Sequence, residues 1–144
     1  MEIEKISFNN LDYALVIRNE FKIEKTTFFT QANEPMQLGV IKHKAGYIEI
    51  PHTHQQISIT ADIHQMLFIT HGKLAIDFFD NNGSKICEIT LNVGDTILLM
   101  SGGHAIRAIE DVECLTVKQG PYVGIEKDKV DLPLIRPKIQ VHKE

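Results

Sequence analysis

Most of this chain alternates apolar and polar residues with a period of two, in short segments that Gly, Asn or Asp interrupts. Successive side chains of a β-strand point to opposite faces, so this alternation predicts strands that each bury one face. Helical periodicity is weak, and it reaches one or two turns at best in NNLDYALVIRN. The segments with the clearest alternation are GYIEIPHTH, QMLFITHGKLAIDFF, KICEITL and VECLTVKQGPY. We therefore expect an all-β protein of short antiparallel strands.

Two positions in these segments predict changes of chain direction. Gly72 interrupts an otherwise continuous alternation, which indicates a bulge or bend. Asn82 and Gly83 both tolerate the positive φ angles of a tight turn, so we expect a β-hairpin around them. Many short antiparallel strands in one small domain close as a barrel or a double-sheet jelly roll. The alternation then places Ile48, Ile50, Leu67 and Ile69 in the interior.

Length and composition limit the function classes. A chain of 144 residues fits one domain, residues 1–144, and 43% hydrophobic with 24% charged residues is typical of soluble globular proteins. The net charge of -4 comes without a basic block, which argues against a nucleic-acid partner. No apolar run approaches the roughly 18 residues of a membrane span. The N-terminus also lacks the order of a signal peptide, so we expect a cytoplasmic protein with no membrane partner.

The two cysteines predict core packing rather than chemistry. Cys87 and Cys114 both lie within apolar alternations. A free thiol in that position behaves as a small buried hydrophobe. We expect neither a disulfide nor a reactive thiol.

Histidines provide the strongest indication of a functional site. His52 and His54 are two residues apart, so on a strand both imidazoles project to the same side and can bind one ion. The alternative interpretation is two hydrogen-bonded histidines at a strand end. His64 precedes Gln65 and should face the opposite side, at the surface or a subunit contact. The other histidines, His43, His71 and His142, have no partner at ligand spacing and are expected to be solvated.

Further residues extend the His-x-His pattern. Five residues separate Gly46 from His52, six separate Gln65 from Gly72, and nine separate Gly94 from His104. This arrangement resembles the two motifs of the cupin superfamily over about residues 36–124. The matching segments are MQLGVIKHKAGYIEIPHTH, GKLAIDFFD, SGGHAI and VKQGPY.

The resemblance implies a single-domain cupin β-barrel, which is a double-sheet jelly roll. It also implies a homodimer and a divalent metal ion, such as Zn, Fe, Mn or Ni, bound by His52, His54, His104 and Gln65. The chain is similar to small bacterial cupins that are associated with surface-polysaccharide and nucleotide-sugar enzymes. The small-molecule ligand would then be polar, for example a sugar or a nucleotide sugar.

Two departures from the cupin pattern affect the expected chemistry. Ten residues separate His54 from Gln65, where the cupin motif has three or four. Gln65 stands where metal-binding cupins most often have a glutamate. An amide oxygen can bind a hard or borderline ion, but it contributes no charge.

Three functions therefore stay open at this point, and whether the protein is an enzyme is one of the open questions. The first is a metal-binding cupin, in which the ion acts as a Lewis acid. The second is a metal-free isomerase or epimerase with His52 or His54 as the base, because Gln65 is similar to the corresponding residue of sugar-nucleotide ketoisomerases. The third is a non-catalytic ligand-binding cupin. In each of them, Leu115 and Val117 should face inward, which puts Gln119 near the pocket mouth as a structural or substrate-binding residue.

Overall fold

The structure, a computed structural model, describes residues 2–52, 54, 62–120, 130 and 132–133. These residues contain no helix, so the all-β prediction is confirmed for them. A helix able to cross a membrane is likewise not found among the described residues. The strands are β1 (Ile3–Phe8), β2 (Leu11–Ile17), β3 (Thr27–Phe28), β4 (Gly39–Val40), β5 (Gln65–His71), β6 (Leu74–Phe79), β7 (Lys85–Leu91), β8 (Thr96–Leu99), β9 (Gly103–Ala108) and β10 (Glu113–Lys118).

Two antiparallel sheets pack against each other. The larger sheet has the order β1-β2-β8-β5-β10 and the smaller has the order β7-β6-β9, while β3 and β4 form a separate ribbon. We call the face that each sheet turns toward the other its inner face. The packing between the two inner faces includes a perpendicular contact between the rings of Tyr13 and Phe78, with centroids 6.2 Å apart. The buried core residues are Tyr13, Ala14, Val16, Leu67, Ile69, Leu74, Ile76, Phe78, Leu91, Ile97 and Leu99, which confirms the inward prediction for Leu67 and Ile69.

The outer face of the larger sheet is also covered. A second apolar cluster contains Leu15, Ile17 and Leu98 from the sheet and Leu38 from the segment 21–40 that crosses it. Strand β2 is therefore buried on both faces, and all its residues from Tyr13 to Ile17 are buried. A strand that is buried on both sides has a continuous apolar sequence instead of an alternating one.

This double burial explains why the helical interpretation of NNLDYALVIRN is wrong. Asn9 and Asn10 have φ angles of 49° and 62°, and the flanking residues Phe8 and Leu11 pair across the ladder. Two consecutive residues with positive φ form the two-residue turn that joins antiparallel strands. The Asn-Asn pair is thus the sequence signal for a β1–β2 hairpin.

Residues 46–52 differ from their prediction as a strand. They belong to no strand, and Ile48 and Ile50 are 87% and 83% exposed, so their predicted interior position is wrong. Alternation permits a segment to form a strand, but a strand is stable only when a neighbouring strand completes its hydrogen bonds. In the described residues, no such neighbour pairs with this segment.

The predicted orientation of β10 is wrong by one residue. Thr116 pairs with Leu67 and Leu115 pairs with Phe68, after an irregularity between Glu113 and Cys114. Because paired residues share a face, the inner face of β10 carries Cys114, Thr116 and Lys118. Leu115 and Val117 lie on the outer face and are exposed.

The cysteines follow their predictions only in part. Cys87 packs against the core, and burial raises the pKa of its thiol. Cys114 is exposed, which corrects its assignment to the core. Both thiols are free, as predicted.

A short crossover after β8 carries the chain to β9 in the other sheet. Gly102 in this crossover has a φ of 72°, and a Cβ at this position would overlap the buried ring of Tyr13. The backbone is held there because the Met100 amide donates to the carbonyl oxygen of Tyr13 at 2.8 Å. Ser101 Oγ also donates to the carbonyl oxygen of Asp12 at 2.7 Å. The position of Gly102 therefore requires both positive φ and the absence of a side chain.

We predict that Gly102→Ala destabilises the protein by about 2–4 kcal/mol, because the left-handed backbone penalty adds to the overlap with Tyr13. Gly46→Ala is the matched control, since Gly46 has a φ of 89° but a Cβ added there would have no atom within 4 Å. It should cost only the backbone term, about 1–2 kcal/mol. Urea denaturation of both variants measures the difference, and equal losses would contradict the packing role of Gly102.

A charge network joins the three strands of the smaller sheet on its outer face. Arg107 Nε donates to Asp77 Oδ2 at 2.7 Å, and Lys85 Nζ lies 2.6 Å from Asp77 Oδ1. Arg107 Nη2 also donates to Glu88 Oε2 at 2.6 Å. The hydrogen bond from Arg107 is the main reason that the pKa of the buried Asp77 falls from its ordinary value of 3.8 to about 2.

The lowered pKa of Asp77 predicts a pH dependence of stability. The Asp77 carboxylate is ionised more easily in the folded protein than in the unfolded chain, and this difference stabilises the fold. The stabilisation is complete above about pH 5 and is lost as the pH falls toward 2. Asp77→Asn should lower the free energy of unfolding by about 1–2 kcal/mol at pH 7, after allowance for the exposure of its partners. The difference from wild type should shrink between pH 5 and pH 2. Denaturation across this range tests it, with the exposed Asp111→Asn as control.

Candidate functional site

His52 and His54 are close together in the structure. Their ring centroids are 5.2 Å apart and their planes are inclined by 79°. Two imidazoles that bind one tetrahedral ion through nitrogens at about 2.0–2.1 Å have ring centres roughly 5 Å apart. The spacing of the two rings therefore fits a shared ion, although both side chains are exposed.

The hydrogen bond of His52 determines which ring nitrogen can bind a ligand. Nδ1 lies 2.9 Å from the carbonyl oxygen of Ile50, and Oε1 of Glu49 lies 3.9 Å from the same nitrogen. A carbonyl oxygen only accepts hydrogen bonds, so in the neutral tautomer that fits this contact Nδ1 carries the proton and Nε2 has the lone pair. A donor bond from one ring nitrogen to a backbone carbonyl is the usual arrangement in a metal-binding histidine.

Gln65 and His104 lie on the inner faces of opposite sheets. Gln65 pairs with Leu99 at the start of β5, and its Nε2 donates to Thr116 Oγ1 at 3.1 Å. His104 pairs with Phe78, whose ring is in the core. The crossover 100–102 connects Leu99, the end of β8, to the start of β9, where His104 lies, so both predicted ligands lie at the same end of the sheets.

In the part of the chain that the structure describes, no further strand pairs with the two sheets along one side of their apolar core. Strands β9 and β10 are the last described strands of their sheets on this side. They lie next to each other because the loop that joins them is hydrogen-bonded to the loop between β5 and β6: the Ile109 amide donates to the Lys73 carbonyl oxygen at 2.9 Å. Their inner faces are exposed, as Ile106 at 47% illustrates. We call this side of the sheets the edge cleft; its residues are Gln65, His104, Ile106, Cys114, Thr116 and Lys118.

His64 is buried, which corrects its prediction as a surface or subunit-contact residue. It is 3% exposed, with Nε2 at 3.1 Å from Glu34 Oε2 and Nδ1 at 3.0 Å from the carbonyl oxygen of Asp62. The side chain does face away from Gln65, but the segment that contains Glu34 covers that side of the sheet. Because both ring nitrogens are hydrogen-bonded within the protein, His64 is a structural residue.

Gln119 is held by the same histidine. Its Oε1 accepts a hydrogen bond from the His64 amide at 2.7 Å, and its own amide donates to the His64 carbonyl at 3.3 Å. These bonds connect the end of β10 to the residue that precedes β5. The sequence allowed either a structural or a substrate-binding role for Gln119, and this geometry describes the structural one.

The three histidines that were predicted to be solvated do not extend the site. His43 stacks on Tyr47 with ring centroids 3.7 Å apart, His71 is exposed, and His142 lies outside the described residues. In the part of the chain that the structure describes, no three His, Cys, Asp or Glu side chains form a group that could hold a metal ion. The structure thus brings His52 to His54, and places Gln65 and His104 at one end of the sheets, without joining the two pairs.

The sequence interpretation did not identify a buried polar cluster around Arg18. Arg18 Nη1 donates to Asp95 Oδ2 at 2.9 Å, and its Nε donates to Glu4 Oε1 at 2.8 Å, which raises the pKa of the guanidinium. The buried Asp95 also accepts bonds from the amides of Asn19 and Asn92. The cluster fastens β1 and β2 to the turn before β8, and its signal in the sequence is an aspartate directly after Gly94.

Comparison with known proteins adds no assignment to these observations. No family model, curated protein or solved structure matches this chain. The fold and the side-chain geometry therefore carry the functional argument.

We predict that Gln119→Ala speeds hydrogen exchange of the His64 amide by about tenfold or more, because a buried donor without an acceptor costs about 1–3 kcal/mol. Gln119→Glu is the matched control, since it keeps an acceptor oxygen and should preserve slow exchange. NMR measurement on labelled protein reports this one amide directly. Equal exchange in wild type and Gln119→Ala would show that the side chain is not bonded there.

Proposed function

We propose that this protein is a metal-binding cupin that binds or acts on a small polar molecule, with a divalent ion bound by His52, His54, His104 and Gln65. The observation that carries the proposal is the geometry of the His52–His54 pair. Its ring separation of 5.2 Å and the bond from His52 Nδ1 to a backbone carbonyl both suit imidazoles that share an ion.

The strand order supports the jelly-roll part of the proposal. A jelly roll has eight antiparallel strands in two sheets. Strands β5, β8 and β10 are neighbours in the larger sheet, and β6, β7 and β9 form the smaller one. Along the chain, β5 is followed by the hairpin β6–β7 in the other sheet, and β8, β9 and β10 then alternate between the two sheets. A double-sheet roll has this alternation, with its interior between the sheets. A site inside such a roll receives its ligands from the inner faces, where Gln65 and His104 lie.

The proposed ligands form a neutral set. Imidazole nitrogens and an amide oxygen suit borderline ions such as Zn, Fe, Mn or Ni. The amide nitrogen of Gln65 is engaged by Thr116, so its carbonyl oxygen is the atom available to the metal. When bound, the ion would supply Lewis-acid polarisation of a carbonyl or hydroxyl group.

A metal-free isomerase or epimerase is the second candidate, because one observation favours it. The carboxylate of Glu49 lies 3.9 Å from His52 Nδ1, while Nε2 keeps a lone pair. A carboxylate beside one nitrogen and a lone pair on the other are the features of a histidine that acts as a general base. Metal analysis separates the two candidates.

We predict that protein purified without a chelator or metal-affinity tag binds one divalent ion per chain, measured by elemental analysis and chelator titration. His52→Ala, His54→Ala and His104→Ala should each lower the affinity by at least about tenfold, because each removes a ligand from a shared ion. The matched control is His71→Ala, which removes an exposed histidine at the other end of β5.

His64→Ala is less suitable as a control because His64 is buried and its loss would affect folding. Unchanged metal affinity in His104→Ala, with a loss in His52→Ala, would remove His104 from the proposed site. Metal-independent isomerisation of a nucleotide sugar that is abolished in His52→Ala would favour the second candidate.

A further inference from the structure

Three of the four methionines of this chain lie in one apolar cluster on the outer face of the larger sheet. Met100 is a buried member of this cluster, and Met36 and Met66 pack against it. Met36 belongs to the segment 21–40 that crosses this face, which we call the strap, whereas Met66 lies on β5 and Met100 follows β8. Methionines are therefore present on both sides of the contact between the strap and the sheet.

Apolar side chains attach the strap to the sheet. Several polar groups of the strap bond within the strap itself, since the Phe29 amide donates to the Leu38 carbonyl oxygen at 2.8 Å. Gln37 Nε2 likewise donates to the Glu34 carbonyl oxygen at 3.0 Å. Toward the sheet, Leu38 is buried in the apolar cluster and the Glu34 carboxylate lies 3.1 Å from His64 Nε2. Loss of the apolar packing should therefore release the strap.

The three methionines differ in exposure. Met66 is on the outer face of β5, where it pairs with the fully buried Leu98 of β8 and with Val117 of β10. Met36 and Met66 are half-buried, whereas Met100 is 6% exposed. A small oxidant in solution reaches a half-buried sulfur more readily than a buried one. Met36 and Met66 are therefore the two methionines of the cluster that should react first.

Oxidation of methionine by a hydroperoxide would make this contact polar. Hydrogen peroxide transfers one oxygen atom to the thioether sulfur, which loses two electrons, while the O–O bond breaks and water leaves. The product, methionine sulfoxide, is polar and chiral, and it disrupts interfaces that are rich in methionine. The side chains of the cluster provide no hydrogen-bond donor to the new oxygen, so its burial there is unfavourable.

We propose that Met36 and Met66 are sites of reversible oxidative modification, and that their sulfoxides release the strap from the outer face of the larger sheet. Release also separates Glu34 from His64, the residue that precedes the proposed ligand Gln65. Methionine sulfoxide reductases restore the thioether, and with it the closed strap. Neither methionine is a proposed metal ligand, so the modification can be tested whether or not the protein binds a metal.

The test treats the full chain with hydrogen peroxide and locates each added oxygen atom by mass spectrometry. The rate of chymotrypsin cleavage after Leu38 then measures strap release, because this buried residue must leave the sheet to enter the protease. Oxidation of Met36 and Met66 should speed this cleavage by about tenfold or more. Treatment with methionine sulfoxide reductases for both sulfoxide epimers should return the slow rate.

Three variants identify the sulfurs that are responsible. The double variant Met36→Leu/Met66→Leu should be cleaved slowly before and after peroxide, since leucine occupies a similar volume and has no sulfur. It keeps Cys87 and Cys114, so a response through thiol oxidation would persist in it. Met100→Leu is the matched control, which removes a methionine of the same cluster and should keep the peroxide response. Met36→Gln/Met66→Gln makes both positions polar and should speed cleavage without peroxide.

Any of the following results would overturn the modification site. Peroxide leaves Met36 and Met66 reduced, or their oxidation does not change the rate of cleavage after Leu38. The double leucine variant responds as wild type does, or the double glutamine variant is cleaved as slowly as untreated wild type. Circular dichroism verifies that each sample keeps its β structure, so that faster cleavage reports the strap and not global unfolding. If one variant loses its β structure, oxidised wild type and the other double variant decide.

Discussion

Packing of the two sheets through their inner faces is the interaction on which the other features depend. The side chains of Leu74, Ile76 and Phe78 meet those of the larger sheet in one apolar cluster. Burial of this surface supplies most of the favourable free energy, at about 25 cal/mol per Å² of apolar area. Once these side chains are inside, the pleat determines the direction of every other residue on the same strands. Gln65 and His104 therefore face the interior because Leu67 and Phe78 do.

The core also explains why the functional candidates lie at the edge. Side chains in the middle of each sheet are apolar and buried. Among the described strands, β9 and β10 are edges of their sheets, and they carry polar groups on their inner faces. The carboxylates that stabilise the fold lie elsewhere: Asp77 on an outer face and Asp95 beside Arg18.

Structural hydrogen bonds outside the cleft maintain the positions of the groups within it. Gln119 and His64 hold the end of β10 against the start of β5, which keeps Lys118 and Thr116 beside Gln65. Across the sandwich, the crossover at Gly102 packs on Tyr13 and leads directly into His104. Gly102, which is needed for this packing, thus also determines where β9 starts and where the proposed metal ligand His104 lies. At both places, one backbone segment contributes to stability and also positions residues of the proposed site.

The sequence alone determined the all-β class, the bend at Gly72, the hairpin at Gly83 and the inward direction of Leu67 and Ile69, because these follow from local alternation and turn chemistry. It also selected His52 and His54, which the structure places side by side. Tertiary structure decided the rest. The burial of His64 depends on a segment thirty residues earlier in the chain, through Glu34. The inward position of Lys118 depends on a register irregularity after Glu113 that no local pattern marks. Alternation specifies that two faces exist, but only contacts between distant segments determine which face is buried.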